Sequence, residues 1–517
     1  MAYDATHRPG PVVIGVDSST QSTKAAVTCA ESGALLAVGR APHTVTGTDG
    51  ARRTDPEVWW RALADAVADG LRGAGVAARD VVGVAVAGQQ HGLVVLDAAG
   101  RPLHDALLWN DTGSAPQARA LTERLGEKEW LSRAGSLPVA SMTATKWQWL
   151  REHEPRVAEA AAGVRLPHDF LTERLCGTAV TDPGDASGTL WWNTADSAYD
   201  PVLLELTGMS EELLSPVAPG GGTPAGRLTR AAAAHLGLPE GVPVAVGTGD
   251  NMAAAVGLGL GGAGLLGHPV VSLGTSGTVF AATRTRPGVP EPGPAAPDFA
   301  DLAAPAGPAD FTDFTARRAL AGFASTDGCH LPLGCTLNCT LAVDKVAELL
   351  GLDRESAEPG GDLVLLPYLD GERTPDLPHA TGLMTGLRHA TRPGQLLGAA
   401  YEGAVFTVLR ALDALTATCG LSPTTPLRLV GGGARGRTWT ETVRRLSGRP
   451  LVLPEATELA ALGAAALARA AADGTDPVEV ASAWGLGRGC ELEPVERDLA
   501  AWERMESVLT RAGALLD

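Results

Sequence analysis

The stretch Val244–Leu260, VAVGTGDNMAAAVGLGL, decides how the fold of this chain is read. The apolar run Val244 to Val246 predicts a buried strand. Gly247 and Gly249 then allow a tight turn, with the backbone close to whatever lies beside it. Asp250 and Asn251 stand at that turn, and the alanines and glycines after them let the next segment pack closely. A carboxylate on a Gly-flanked turn at the C-terminal end of a buried strand is well placed to meet a ligand. Asp is also a common helix N-cap, which gives Asp250 a purely structural reading. The two readings are compatible, because a capping carboxylate can also act as a base.

Working outward, four other stretches have the same character. Residues 12–27, VVIGVDSSTQSTKAAV, read as strand, polar turn, strand, with Asp17 at the end of the first strand. The hydroxyls and backbone donors of residues 18–23 can hold phosphate oxygens, and Asp17 can hold magnesium through water. Taken alone, the turn is better explained as an ordinary Ser/Thr hairpin. Val81–Ala87 predicts a strand that runs into Gly88-Gln89-Gln90-His91-Gly92, where Gln90 and His91 offer neutral groups of the kind that bind sugar hydroxyls. A structural loop histidine is the competing reading. Residues 269–282, PVVSLGTSGTVFAA, repeat the opening hairpin, and two such hairpins suggest two related domains facing one another. Leu427–Val430 is a strand leading into Gly431-Gly432-Gly433-Ala434-Arg435 ahead of a helix, a start whose N–H groups are open to phosphate or ribose.

The remaining segments read as scaffold. Asp55-Pro56 opens a helix whose buried face is Trp59, Leu63, Val67 and Leu71. Leu107–Asp111 is a further strand end with polar groups. Residues 141–153, SMTATKWQWLREH, predict a helix started by Thr, with Lys146, Trp147 and Trp149 explained by amphipathic packing. The segment TDPGDASG, with Asp182, Asp185 and Ser187, reads as a turn and nothing more. Leu363–Tyr368 is a strand followed by LDGERTP, and Pro393 opens a long helix. ELAALGAAALARAAA, from Glu458, is a small-residue helix able to pack very close to a neighbour. Residues 287–310, rich in Pro, Ala and Gly, predict an irregular surface loop.

At 517 residues the chain is too long for one core, so two large domains are expected. The net charge of −18 argues against binding nucleic acid or an anionic membrane surface by bulk electrostatics. The N-terminal MAYDATHRPGP lacks the apolar core of a signal peptide, and no run of about 18 apolar residues predicts a membrane span. These features point to a cytoplasmic protein. Seven cysteines spread over the chain do not form a disulfide framework, and Cys329, Cys335 and Cys339 fit no common zinc spacing. A P-loop sequence is absent, so a nucleotide would have to be held by the two hairpins and the Gly triplet.

In this order, from Val12 to Ala472, these segments resemble the FGGY carbohydrate kinases. IGVDSSTQSTK (14–24) is similar to the family's first phosphate segment and AGQQHG (87–92) to its sugar motif, with Gln90 where many members have Met. SMTATKWQWLREH (141–153) and GLMTGLRHATRPGQLLGAAYE (382–402) resemble the two family signatures. GTGDNMAAAVG (247–257) looks like the catalytic stretch, and SLGTSG (272–277) and GGGAR (431–435) like the nucleotide segments. The resemblance implies an α/β protein of two actin-like (ribonuclease H-like) domains, residues 1–257 and 258–517, with ATP in the cleft between them. It implies magnesium-dependent phosphoryl transfer from ATP to D-xylulose in xylose catabolism. By position, Asp250 would be the general base and Asp17 would support magnesium. Gln90, His91, Asp250 and Asn251 would contact the sugar. Thr20, Gly274, Thr275, Gly432 and Gly433 would lie near the nucleotide. Ribulose, gluconate or glycerol are rival acceptors, and an ATP- and sugar-binding sensor without turnover is a rival class. A homodimer is compatible with a sequence that itself gives no oligomeric state.

Overall fold

The computed structural model describes residues 10–48, 50–261, 265–284, 286–287, 320–375, 377 and 379–516. The expected loop 287–310 lies, from residue 288 onward, outside the described residues. The chain forms two compact α/β units. The first comprises Met1–Leu266, Phe323–Leu331 and Glu458–Gly487, and the second Gly267–Gly322, Pro332–Thr457 and Arg488–Asp517. Glu458–Gly487 thus returns to the first unit late in the chain.

The first unit is built on a mixed sheet in the order Pro224–Arg227, Pro243–Ala245, Val81–Gly88, Val12–Ser18, Ser22–Cys29, Leu35–Pro42. Val12–Ser18 pairs antiparallel with Ser22–Cys29 across the polar turn and parallel with Val81–Gly88. The short strand Thr248–Gly249 also pairs parallel with Val81–Gly88, setting Gly249 opposite Gly88. Ser18 faces the same Gly88 from the other side. The strand ends carrying Asp17, Gln90 and Asp250 therefore meet at one edge of the sheet. Val12, Ile14, Val84, Val86 and Val244 are buried on one face of these strands, and Val13, Ala85, Ala87 and Ala245 on the other, as a parallel centre requires.

One face of this sheet is covered by the helix Pro56–Ala74. Asp55 accepts the N–H of Glu57 at its N-terminus, and Trp59, Leu63 and Val67 are fully buried. The other face takes the helix Leu459–Asp473. Its small residues permit a very close approach: a Cβ placed on Gly15 would lie 1.9 Å from the carbonyl oxygen of Ala461. The helix Asp250–Gly257 packs on the same helix, where a Cβ on Gly463 would lie 1.8 Å from the carbonyl oxygen of Ala253.

The second sheet runs Leu320–Ala324, His330–Thr336, Gly277–Phe280, Val270–Leu273, Leu427–Val430, Leu451–Pro454, Gly489–Leu492. Val270–Leu273 is antiparallel to Gly277–Phe280 and parallel to Leu427–Val430. This repeats the pairing of the opening hairpin, as the sequence repeat predicts. The helix Pro393–Cys419 supplies much of the second core, with Leu397, Tyr401, Phe406 and Leu412 buried. Among the described residues no helix is long and apolar enough to cross a membrane.

Candidate active site

The helix that follows the turn at Gly249 begins at Asp250 itself, and Gly249 takes the N-cap position. Asp250 is therefore not the cap, which corrects the structural reading of this residue. Its Oδ1 accepts the N–H of Asn251 at 2.8 Å. The Asn251 amide donates to Gln90 Oε1 at 2.8 Å, which links the segment 247–257 to the segment 87–92. Gln90 is 4% exposed, and its own Nε2 finds no acceptor among the described residues, leaving a buried donor. Asp250 and Asn251 are half-buried, whereas Gln90 is buried.

His91 has a left-handed backbone with φ 65°. Its Nδ1 lies 3.0 Å from the Gly188 carbonyl oxygen, and its ring packs on Phe323 with centroids 5.5 Å apart. The imidazole is thus held from two sides.

Burial raises the Asp250 carboxyl to about 8, and the charges of Asp17 and Asp185 add to it. Asp17 is buried at the first strand end, where Oδ1 accepts from Ser19 Oγ at 2.6 Å and Oδ2 lies 3.4 Å from Lys24 Nζ. Lys24 also pairs with Glu458 at 2.9 Å. In the same hairpin Thr20 Oγ1 accepts the indole N–H of Trp109 at 2.9 Å.

In the second unit, the parallel pairing of Val270–Leu273 with Leu427–Val430 places the two glycine segments side by side. A Cβ on Gly433 would meet the Leu273 side chain at 2.8 Å, and one on Gly431 would meet the Leu273 carbonyl oxygen at 2.6 Å. Gly432 has nothing within 4 Å of its Cβ position, and it and Thr275 are exposed. Gly274 O accepts the N–H of Thr340 at 3.0 Å, and Thr275 O accepts that of Cys339 at 3.3 Å. Exposed backbone between a strand end and a helix start can receive phosphate oxygens.

Two polar clusters escape the sequence reading. The segment TDPGDASG is not a plain turn. Pro183–Ser187 is a short helix capped by Asp182, and Asp185 and Asp182 are fully buried against His168. In the second unit Glu372, 1% exposed, accepts the N–H groups of Leu337 at 2.6 Å and Asn338 at 3.2 Å. It fixes the turn that leads into Cys339 and Thr340. The signal available for the first cluster was a His-Asp pair inside an otherwise apolar helix start, PHDFL. For the second it was a Glu within a Gly-flanked loop. Lys146, explained from sequence by amphipathic packing, is 1% exposed. It donates to the carbonyl oxygens of Ala140 at 3.0 Å and of Ser141, and burial lowers its ammonium to about 7.

Residues 12–257 match the model of the N-terminal domain, and residues 270–472 that of the C-terminal domain, of the FGGY family of carbohydrate kinases. A xylulose kinase of Streptomyces coelicolor is 52% identical over 511 residues, covering 98% of each chain. One of Streptomyces rubiginosus is 51% identical over 509 residues, again covering 98% of each. The crystal structure of a xylulose kinase from Bifidobacterium adolescentis superposes with a TM-score of 0.76 at 31% identity, covering 97% of this chain and 99% of that one.

Proposed function

The chain belongs to the FGGY family of carbohydrate kinases, and from that premise we propose that it transfers the γ-phosphoryl group of ATP to D-xylulose, giving D-xylulose 5-phosphate. The observation that carries the choice of sugar is the similarity, at 51 and 52% identity over 98% of both chains, to two xylulose kinases. The linked Asp250, Asn251 and Gln90 support it, because they present a carboxylate and amide groups together at a strand-end edge.

We assign the sugar to residues 1–257, with Gln90, His91, Asn251 and Asp250 as its contacts, and much of the nucleotide to residues 258–517. Asp250 takes the proton of the attacking hydroxyl. A raised proton affinity suits that task, since a base near neutrality combines proton uptake with a usable fraction in the charged form. The buried Nε2 of Gln90 donates to a sugar hydroxyl, and a site that pairs hydroxyls rejects acceptors lacking them. We assign the nucleotide to Gly274, Thr275, Gly432 and Gly433, of which Thr275 and Gly432 are exposed, and Thr20 to the same ligand.

The donor set fits magnesium held mainly through water. Asp17 is a single carboxylate at a strand end, and its negative charge acts directly on that of Asp250. When bound, the ion would neutralise phosphate charge, the main electrostatic need of phosphoryl transfer. Asp17 would hold it while Lys24 and Ser19 keep the carboxylate in place.

A coupled assay of ADP release with D-xylulose, ribulose, gluconate and glycerol tests this function. D-xylulose is expected to give the highest kcat/KM. A higher value with another acceptor would move the chain to that substrate, and acceptor-independent background alone would leave the sensor reading.

A further inference from the structure

His168 is fully buried on the helix Pro167–Cys176, with three carboxylates around it. Its Nδ1 lies 2.7 Å from Asp185 Oδ2, and its Nε2 lies 3.2 Å from Asp169 Oδ1 and 4.0 Å from Asp182 Oδ1. All three carboxylates are at most 2% exposed. Burial pulls the imidazole down, but these charges outweigh it and hold it at about 9, so the cluster contains a cation at neutral pH.

The cluster reaches the Gly249–Asp250 turn along several directed contacts. Asp182 Oδ2 accepts the hydroxyl of Thr248 at 2.7 Å, and Asp182 Oδ1 accepts the N–H of Asp185 at 3.1 Å. From the helix that carries His168, Thr172 Oγ1 donates to Val246 O at 3.1 Å. A Cβ on Gly249 would lie 3.2 Å from Asp185 Oδ1 and 2.6 Å from Gln90 Cγ. A Cβ on Gly88, the strand end before Gln90, would lie 2.8 Å from the His168 backbone nitrogen. Both segments that carry the proposed site are therefore seated on this cluster.

Stability alone does not account for it. Asp185 Oδ1 is wholly buried and has no hydrogen-bond partner among the described residues. A buried carboxylate oxygen left unbonded is costly, and apolar packing of equal volume is often as stable as a buried ion pair. What apolar packing lacks is direction, which the chain from His168 through Asp185 and Asp182 to Thr248 supplies.

We propose that His168, Asp182, Asp185 and Thr248 are positioning residues that lock the turn before Asp250, so that its carboxylate keeps one orientation toward the sugar hydroxyl. The inference rests on Asp250 being the base. Misplacement of a reacting group by about 1 Å costs on the order of 10²-fold in rate.

The test uses the full chain with Thr248→Val, Thr248→Ser and Asp185→Asn, measuring kcat and KM for both substrates. Thr248→Val and Asp185→Asn are expected to lower kcat at least about 10-fold, with KM for ATP within about two-fold of wild type. Thr248→Ser, which keeps the hydroxyl bonded to Asp182, is expected to restore most of kcat. Unchanged ATP affinity reports an intact fold in each variant. A kcat within two-fold of wild type for both Thr248→Val and Asp185→Asn would overturn the proposal, as would a Ser variant no better than Val. Failure of the underlying reading shows separately: an Asp250→Asn enzyme with wild-type turnover removes the base before the cluster is considered.

Discussion

As the base we propose, Asp250 has to lose its proton before it can accept one. Held up at about 8 by burial and by Asp17 and Asp185, it is largely protonated in the free protein at neutral pH. Its folded value lies above the ordinary 3.8, so the proton is retained as pH rises and released only near 8. We therefore expect kcat/KM for the sugar to climb with pH and level off above about 8. Asp17→Asn removes one like charge and should move that limb to lower pH. A limb that stays put would mean that Asp17 does not act on Asp250. Asp250→Asn should bind both substrates yet lose on the order of 10²–10⁴-fold in kcat. Asp250, Asn251 and Gln90 were legible because glycines mark strand ends, and strand ends of parallel sheets carry ligands. His168, Asp182 and Asp185 were not. Their meaning lies in contacts between a helix starting at Pro167, a five-residue helix at Pro183 and the turn at Thr248, and no local spacing encodes that meeting.

At the scale of elements, the small-residue helix Leu459–Asp473 is what the first sheet closes on. Ala461, Ala464, Ala465 and Ala468 are buried against it, with Gly15 and Gly83 on the facing strands. The composition predicts such close packing, but not the partner, because the helix lies over 400 residues from the strand it covers. Gly463 shows how tight the fit is. A methyl group there would lie 1.8 Å from Ala253 O and 2.9 Å from Gly257 N, both backbone atoms with no rotamer to change. Gly463→Ala gains helix propensity of about 1 kcal/mol, yet overpacking costs roughly 1–3 kcal/mol or more and should win. We expect a melting temperature several degrees lower. A variant as stable as wild type would show that the two helices separate at little cost. Because the helix Asp250–Gly257 must shift to admit the methyl group, turnover should fall as well.

For the whole molecule, the repeated pairing of hairpin and parallel strand explains why two-domain architecture was readable from two short Ser/Thr/Gly segments. Each hairpin turn sits at a strand end next to a parallel neighbour that also ends in glycine, and that arrangement recurs in both sheets. Net charge is the other global property, and it separates the two substrates. The chain carries −18, D-xylulose is neutral, and ATP is a polyanion. On the reading proposed above, local donors at the glycine segments attract the phosphates, but the long-range field of the protein opposes their approach. Salt reduces that field: the Debye length shrinks from about 30 Å at 0.01 M to about 10 Å at 0.1 M. At fixed saturating magnesium, kcat/KM for ATP is therefore expected to rise, by up to a few-fold, as potassium chloride is raised over this range. The value for D-xylulose, measured at saturating ATP, should stay level and serves as the internal control. A fall for ATP alone would show that positive groups around the nucleotide outweigh the global charge, with Arg435, exposed beside Gly433, the first to replace. A parallel change for both substrates would instead report an effect of salt on the protein itself.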